Sequence, residues 1–447
     1  MDLLPTDENI RKTIEEDLLG RNEDLGHFIQ LLNSIVGSYS IALDGQWGSG
    51  KTFFVKQVKA ILEAYNPNLT VEHANVIQEK MNSYLAQQDL QPQYPIYYDA
   101  WMNDNDTDPI ISLLYSIAEA HSYFTKRDIE SMKGLKDAGV AVIKMVGGPD
   151  LKSFENLFIA KSCMDAKTQS VDLFKQINTF FSELHIEKGN RLVIFVDELD
   201  RCKPTFAIKF LERIKHYFEH PNITFVFSVN ITELAHTVQN YYGKGFDAGR
   251  YLNRFFDYTF RLPAVSTEAY YRAQGIDNDN SAYNFTVKKV IQELHLELRE
   301  AVKLLGNAKA FAREIQNIPN SFSVFGDVSS MNYVGSFVVP ILMGTQLKEP
   351  DKYESFINGE YAKPFVDIIT KVFNTYESIN PFRKYGNATV KGDKSIKAKE
   401  LYDALFKLSN RDVEMEVEGI KINSHLRNWA LQVASGMSNF SDFSTKE

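Results

Sequence analysis

Cysteine is nearly missing from this chain of 447 residues. Only Cys163 and Cys202 occur, far apart. So small a supply excludes a disulfide framework and a cysteine-built zinc site, and it favours a reducing compartment. Long apolar runs are missing too. The nearest approach, residues 138–146, is short and carries Lys144, well under the roughly 20 apolar residues that a membrane-spanning helix needs. The opening residues, Met1-Asp2-Leu3-Leu4-Pro5-Thr6-Asp7-Glu8, are acidic and lead into no apolar run, so they do not read as a signal peptide. The expectation is a cytoplasmic protein with no membrane partner. An excess of basic residues is also lacking: 49 Lys and Arg face 58 Asp and Glu, a net charge of −9. That argues against a chain built mainly to coat nucleic acid and leaves only a local basic face open. No internal repeat or low-complexity tract interrupts the sequence.

What is present is an ordinary globular composition, 44% hydrophobic and 24% charged, on a length suited to about two or three domains. The chain is organised around Ser40-Ile41-Ala42-Leu43-Asp44-Gly45-Gln46-Trp47-Gly48-Ser49-Gly50-Lys51-Thr52. A short apolar strand leads into a glycine-rich loop, and a helix follows from Phe53. Gly45, Gly50, Lys51 and Thr52 fit the phosphate-binding pattern G-x-x-x-x-G-K-[ST] in full. Glycines let consecutive N–H groups turn inward around phosphate oxygens, and the following helix points its positive dipole end at the same anion. Gly45, Gln46, Trp47, Gly48, Ser49, Gly50, Lys51, Thr52 and Phe53 are therefore the expected nucleotide-binding residues. Lys51 should reach the β- and γ-phosphates, and the Thr52 hydroxyl should ligate Mg²⁺.

The rest of the chain gives such a loop its surroundings. Residues 8–36 read as two helical stretches broken at Gly20-Arg21, with Asn22 as a plausible cap. Tyr94-Pro95-Ile96-Tyr97-Tyr98-Asp99 is a short strand whose proline suits an edge strand or a strand start. Asp104-Asn105-Asp106-Thr107-Asp108-Pro109 reads as a solvated turn and helix start, since the ligand spacing of a calcium loop is missing. A long, mainly helical insertion spans about 110–190, broken at Gly147-Gly148-Pro149. Leu192-Val193-Ile194-Phe195-Val196 is an unbroken apolar run, the mark of a strand covered on both faces, and it ends in Asp197-Glu198. Residues 223–230 repeat the pattern and end in Asn230, and 258–263 form a fifth strand candidate. Past Pro263 helical periodicity dominates, with one hairpin at most, around Gly419. This predicts an α/β, parallel-sheet nucleotide-binding domain over 1–265 and a mainly α-helical domain over 266–447.

Phosphoryl transfer also needs a placed metal and an aligned water. Asp197 ends its strand where it can hold Mg²⁺, and Glu198 can orient or polarise the attacking water. Asn230 reads either as a γ-phosphate sensor or as an ordinary polar strand end. Arg201 is either catalytic or the partner of Asp200. Arg254, four residues after Arg250 on a segment that reads as helical, is the favoured arginine for the transferring phosphoryl group, in cis or in trans. The competing reading pairs these arginines with Asp247 and Asp257.

Gln46 to Thr52, Asp99-Ala100-Trp101, Asp197-Glu198-Leu199-Asp200-Arg201-Cys202, and Tyr251-Leu252-Asn253-Arg254 through Leu262-Pro263 together resemble the KAP family of P-loop NTPases, over roughly residues 15–265. The resemblance implies an additional-strand sheet, with one strand between the phosphate-loop strand and the Asp197 strand. It also implies ATP, where the residues alone leave ATP and GTP open, and a prokaryotic role often accessory or linked to phage defence. Two departures stand out. Many relatives insert membrane helices where this chain has soluble sequence, and their strand after the Asp-Glu strand usually ends in Asp rather than Asn230.

The leading expectation is an ATPase whose hydrolysis switches shape or assembly. The helical half would then serve a homo-oligomer or a protein partner. A second reading holds ATP as a structural ligand with little hydrolysis. A third, a nucleic-acid motor or sensor, is supported only by Arg383-Lys384 with Lys391, Lys394, Lys397 and Lys399 near Tyr385, a run that more often marks a solvated face.

Overall fold

The computed structural model describes residues 4–85, 90–106, parts of 108–116, 189–217, 221–263, 265, 268–273, 282–315, 328–375, 393–417 and 419–435. The insertion expected at about 110–190 lies almost wholly outside these, as do Cys163 and the basic residues 383–391. Two compact units emerge, Leu4–Ala269 and Tyr270–Glu447.

In the first unit five strands form one parallel sheet: β1 (Tyr39–Asp44), β2 (Gln93–Asp99), β3 (Arg191–Asp197), β4 (Ile223–Val229) and β5 (Tyr258–Arg261), in the order β2-β3-β4-β1-β5. Every neighbouring pair is parallel. β4 lies between β1 and β3, the additional-strand arrangement. Burial follows this order. All seven residues of central β4 are buried, whereas β5, short and at one edge, is mostly exposed. β2 is the other edge, where Pro95 forfeits no bond the sheet needs.

Seven described helices complete the unit: α1 (Asp7–Glu15), α2 (Asn22–Ser34), α3 (Lys51–Ala64), α4 (Ala74–Met81), α5 (Pro204–Tyr217), α6 (Ile231–Tyr242) and α7 (Ala248–Leu252). Phe28 of α2, Phe54 of α3 and Phe260 of β5 meet edge-to-face or stacked at 5.0 to 6.1 Å between ring centres. That cluster seats the helix following the phosphate loop against the sheet. Asn22 does not cap α2. The Asp17 carboxylate, carried by a residue with φ of 48°, accepts the Arg21 and Asn22 N–H groups, while Asn22 itself donates to the Ile14 carbonyl. A longer loop supplied the acceptor that sequence assigned to the adjacent amide.

The second unit is helical, including Ala282–Glu293, Leu298–Ile315, Val339–Lys348, Lys363–Thr375, Asp393–Phe406 and Ser424–Ser435 around one apolar core. Its hairpin is β6 (Met415–Val417) and β7 (Ile420–Ile422), turning at Gly419 with φ of 82°. Among the described residues no helix is long and apolar enough to cross a membrane.

Candidate active site

The register sets Asp44 opposite Val229 and Asp197 opposite Ser228. β1 and β3 therefore release their chains at the same, carboxyl edge of the sheet, where open α/β sheets bind ligands. Asp44 Oδ1 accepts the Ile231 N–H at 3.0 Å and fastens the start of α6 to the end of β1.

The loop leaving β1 turns through Gly48 and Gly50, both at positive φ (86° and 90°). A side chain there would strain the backbone. At Gly45 a Cβ would stand 2.8 Å from Ser49 Oγ and 3.3 Å from Lys51 Cγ, so a side chain there would press on the loop's own residues. Ser49 Oγ is buried without a partner inside this turn. Lys51, 8% exposed, curls its Nζ onto the Gly45 carbonyl at 2.7 Å and the Gln46 carbonyl at 3.2 Å. Burial lowers its pKa below the ordinary lysine value, and the charges of Asp200, Glu198 and Asp197 pull the other way. Thr52 lies in the first turn of α3, and the Phe53 side chain is buried in the core, which leaves its N–H as the group able to meet a phosphate. Behind the loop the buried Arg21 donates Nη2 to the Ser49 carbonyl at 3.1 Å and to the Pro263 carbonyl.

Asp197, 1% exposed, accepts the Tyr97 hydroxyl on Oδ2 at 3.0 Å. Burial, with Asp197 beside it, keeps that phenol protonated and donating. Glu198 sits at φ of 61°, a left-handed conformation that glutamate adopts only under constraint. Burial and the neighbouring Asp197 push its carboxyl up to about 7, opposed by Arg201. Arg201 does not pair with Asp200. Its Nε bonds Glu198 Oε2 at 2.5 Å. Asp200, 4% exposed, instead accepts Trp47 Nε1–H at 2.6 Å and the Asn230 N–H at 3.1 Å, both on Oδ2. Oδ1 of the same carboxylate is buried without a partner.

A family model described as "KAP family P-loop domain" matches residues 25–326, well over half of the chain. The chain belongs to the KAP family of P-loop domains. A comparison with curated proteins found no match.

In this KAP domain the remaining candidates are held in different ways. Asn230 caps α6, its Oδ1 accepting from Thr232 and Glu233 N–H at 3.1 and 3.4 Å. Only its Nδ2 is left to face a ligand. The helix carrying Arg250 ends at Leu252, so Arg254 falls in the turn beyond it and not one helical turn along the same face. Arg254 is exposed. Asp247 caps α7 and Asp257 accepts the Ser40 N–H, and neither carboxylate forms an ion pair with Arg250 or Arg254 among the described residues. Asp104 accepts the Lys203 N–H, and Asp108 Oδ1 the Ile110 N–H. No group of three or more His, Cys, Asp or Glu able to hold a metal occurs among the described residues.

Residue-by-residue reading missed Asp200, Tyr97 and Arg21 as parts of the site. Asp200 follows Glu198 by two residues, but its partner Trp47 lies 153 residues away, and Tyr97 lies 100 residues from Asp197. The one available signal was β2 itself: a tyrosine-rich edge strand whose neighbour ends in two acids.

The donors present fit a nucleoside triphosphate with Mg²⁺. A glycine loop that a Cβ would fill, a buried lysine resting on exchangeable carbonyls, and a buried carboxylate at the end of β3, one strand removed from β1, are the groups that a polyphosphate and its hard cation require.

Proposed function

We propose that this KAP domain binds Mg·ATP and hydrolyses it, and that hydrolysis switches the shape or assembly of the chain. One observation carries the reading. The indole of Trp47, inside the phosphate loop, donates to Asp200, two residues beyond Glu198, at 2.6 Å. Cradle and acidic strand end are thereby in direct contact.

In this reading Lys51 exchanges its two loop carbonyls for phosphate oxygens, and the loop N–H groups take the rest of the phosphate charge. Thr52 and Asp197 would hold the Mg²⁺, which supplies charge neutralisation to the phosphates. Glu198 aligns the attacking water and accepts its proton. Its carboxyl is suited to that task because burial has made it more basic than an exposed glutamate. Asn230 Nδ2 is available to sense the γ-phosphate. Arg254, exposed and outside any ion pair among the described residues, is suited to enter the site of a second copy, where its planar fork can bind spreading phosphoryl charge. A cytoplasmic setting, read from the scarce cysteine and the lack of long apolar runs, and a role linked to phage defence, from the family resemblance, complete the proposal.

The test is Glu198→Gln. The amide is nearly the same size and leaves Asp197 in place, but it cannot take a proton. Phosphate release should fall by about 10²-fold or more while ATP stays bound. Release at the parent rate would remove Glu198 from the mechanism, and failure of the parent chain to bind Mg·ATP in calorimetry would remove the function itself.

A further inference from the structure

Arg201 is set between two tryptophans. Its guanidinium carbon lies 5.7 Å from the ring centre of Trp47 and 5.6 Å from that of Trp101. Both indoles are about half exposed, at 45% and 50%. Each is anchored from another direction. Trp47 is tied by its N–H to Asp200. Trp101 stands in a turn in which the Ala100 N–H donates to the Asp197 carbonyl at 3.0 Å, the Met102 N–H to Asp99 Oδ1 at 3.0 Å, and Asn103 Nδ2 to the Asp99 carbonyl at 2.7 Å. Arg201 closes a short 3-10 turn with its own N–H on the Glu198 carbonyl at 3.1 Å.

We propose that Arg201 is a positioning residue for Glu198: its guanidinium, clamped between the indoles of Trp47 and Trp101, holds the Glu198 carboxylate in one direction and ties that direction to the phosphate loop. The proposal rests on the ATPase reading above and names the device that aims its base. A solvent-exposed ion pair is a poor positioning device, because two long side chains wander. This pair is mostly covered, with side chains only 22% and 18% exposed, and the cation lies over both indole rings. Arginine suits the slot because its plane stacks on an indole while its edge still donates, and a lysine ammonium offers no such plane. Since Trp47 belongs to the loop that cradles the phosphates, any movement of that loop is passed to Glu198 through one side chain.

The test exploits the surface position of Trp101, which is half exposed, lies outside the phosphate loop and carries no charge. Arg201→Ala and Trp101→Ala should each lower kcat about tenfold or more, as a small misplacement of a catalytic group does. The Kd for Mg·ATP should stay within about threefold of the parent, a loss smaller than one charged hydrogen bond. Trp101→Phe should restore most of the rate and Arg201→Lys should not. A folded Trp101→Ala protein with parental kcat, or full rescue by Arg201→Lys, overturns the clamp.

A second readout needs no turnover. The chain has three tryptophans, so Trp429→Phe leaves only Trp47 and Trp101 to fluoresce. In that background Arg201→Ala and Glu198→Ala should both red-shift the emission of the nucleotide-free protein, because the guanidinium leaves the indoles. An emission that neither change moves overturns the clamp. Shifted emission in a chain that binds Mg·ATP without hydrolysing it supports the clamp and defeats the ATPase reading alone.

Discussion

Lys51 in the sheet unit and Arg427 in the helical unit are both buried cations resting on backbone carbonyls, at 8% and 4% exposure. They are held in opposite ways. Arg427 spends Nε on the Ala404 carbonyl at 3.0 Å, Nη2 on the Val413 carbonyl at 3.0 Å and Nη1 on the Arg411 carbonyl. It thereby joins the end of helix Asp393–Phe406 to the chain entering β6. Lys51 holds two carbonyls of a glycine loop, and three carboxylates act on it without bonding it. Burial lowers the pKa of both cations. A cation whose donors are spent on fixed elements serves as a rivet. One whose partners belong to a loop can exchange them for a ligand. The buried acids divide in the same way. Asp197 and Asp200 are buried in the sheet unit, and no Asp or Glu is buried among the described residues of the helical one.

Two substitutions should separate these roles. Arg427→Ala strands three carbonyls, and at roughly 1 kcal/mol or more for each unmet group it should lower stability by about 3 kcal/mol. Chemical denaturation would measure that loss, and Mg·ATP affinity of the still-folded chain should not move. Lys51→Met should do the reverse. Loss of a charged hydrogen bond to phosphate costs roughly 1.5–3 kcal/mol, so calorimetry should show affinity falling tenfold or more. The nucleotide-free protein should lose little or no stability, because a desolvated charge disappears with the side chain. A stability loss in Lys51→Met matching that of Arg427→Ala would erase the contrast.

A smaller effect probes hydrocarbon packing in the helical unit. A Cβ on Gly344, in helix Val339–Lys348, would stand 2.2 Å from Val290 Cγ1 and 3.1 Å from Leu294 Cδ1. Valine has few rotamers with which to yield. Gly344→Ala should therefore cost about 1–3 kcal/mol of stability, as overpacking does. Alanine normally favours a helix over glycine, so a stabilised variant would show that the two helices are not in close contact at this point.

The strands are legible in the sequence, and their order is not. Five apolar residues from Leu192 to Val196 are the mark of a strand covered on both faces, and Pro95 suits an edge or a strand start, of which the structure shows the edge. Period-two alternation around Gly419 announced the β6–β7 hairpin. What could not be read was pairing at a distance. Arg201 read either as catalytic or as the partner of its neighbour Asp200, and its guanidinium instead meets Glu198, whose backbone takes a left-handed φ. Asn22 looked like a cap because short polar residues are caps, yet the geometry gave that task to Asp17. Helical spacing suggested one face for Arg250 and Arg254, but α7 stops at Leu252. Periodicity reports which face is buried, and not which residue from another strand will meet it.

Tyr97 offers the finest test of the exchangeable side of the contrast. Its hydroxyl donates to Asp197 Oδ2 at 3.0 Å, and Lys56 Nζ lies 5.0 Å from the centre of its ring. The phenol is thus held by its edge and its face, and it aims one oxygen of the carboxylate assigned to Mg²⁺. Tyr97→Phe removes a single oxygen atom and leaves the ring packing intact. Two effects then compete. A carboxylate relieved of a donor carries more charge for a cation, but it also regains freedom to rotate, and outer partners of metal ligands typically contribute about tenfold or more to metal affinity. Orientation should win here, because Asp197 is 1% exposed and has no water layer to replace the lost donor. The Mg²⁺ concentration for half-maximal hydrolysis should rise by up to about tenfold, about 1.4 kcal/mol, while kcat at saturating Mg²⁺ changes little. A Mg²⁺ titration checks this. An unchanged midpoint would mean that β3 alone aims Asp197, and a lowered one would mean that charge outweighs orientation at this strand end.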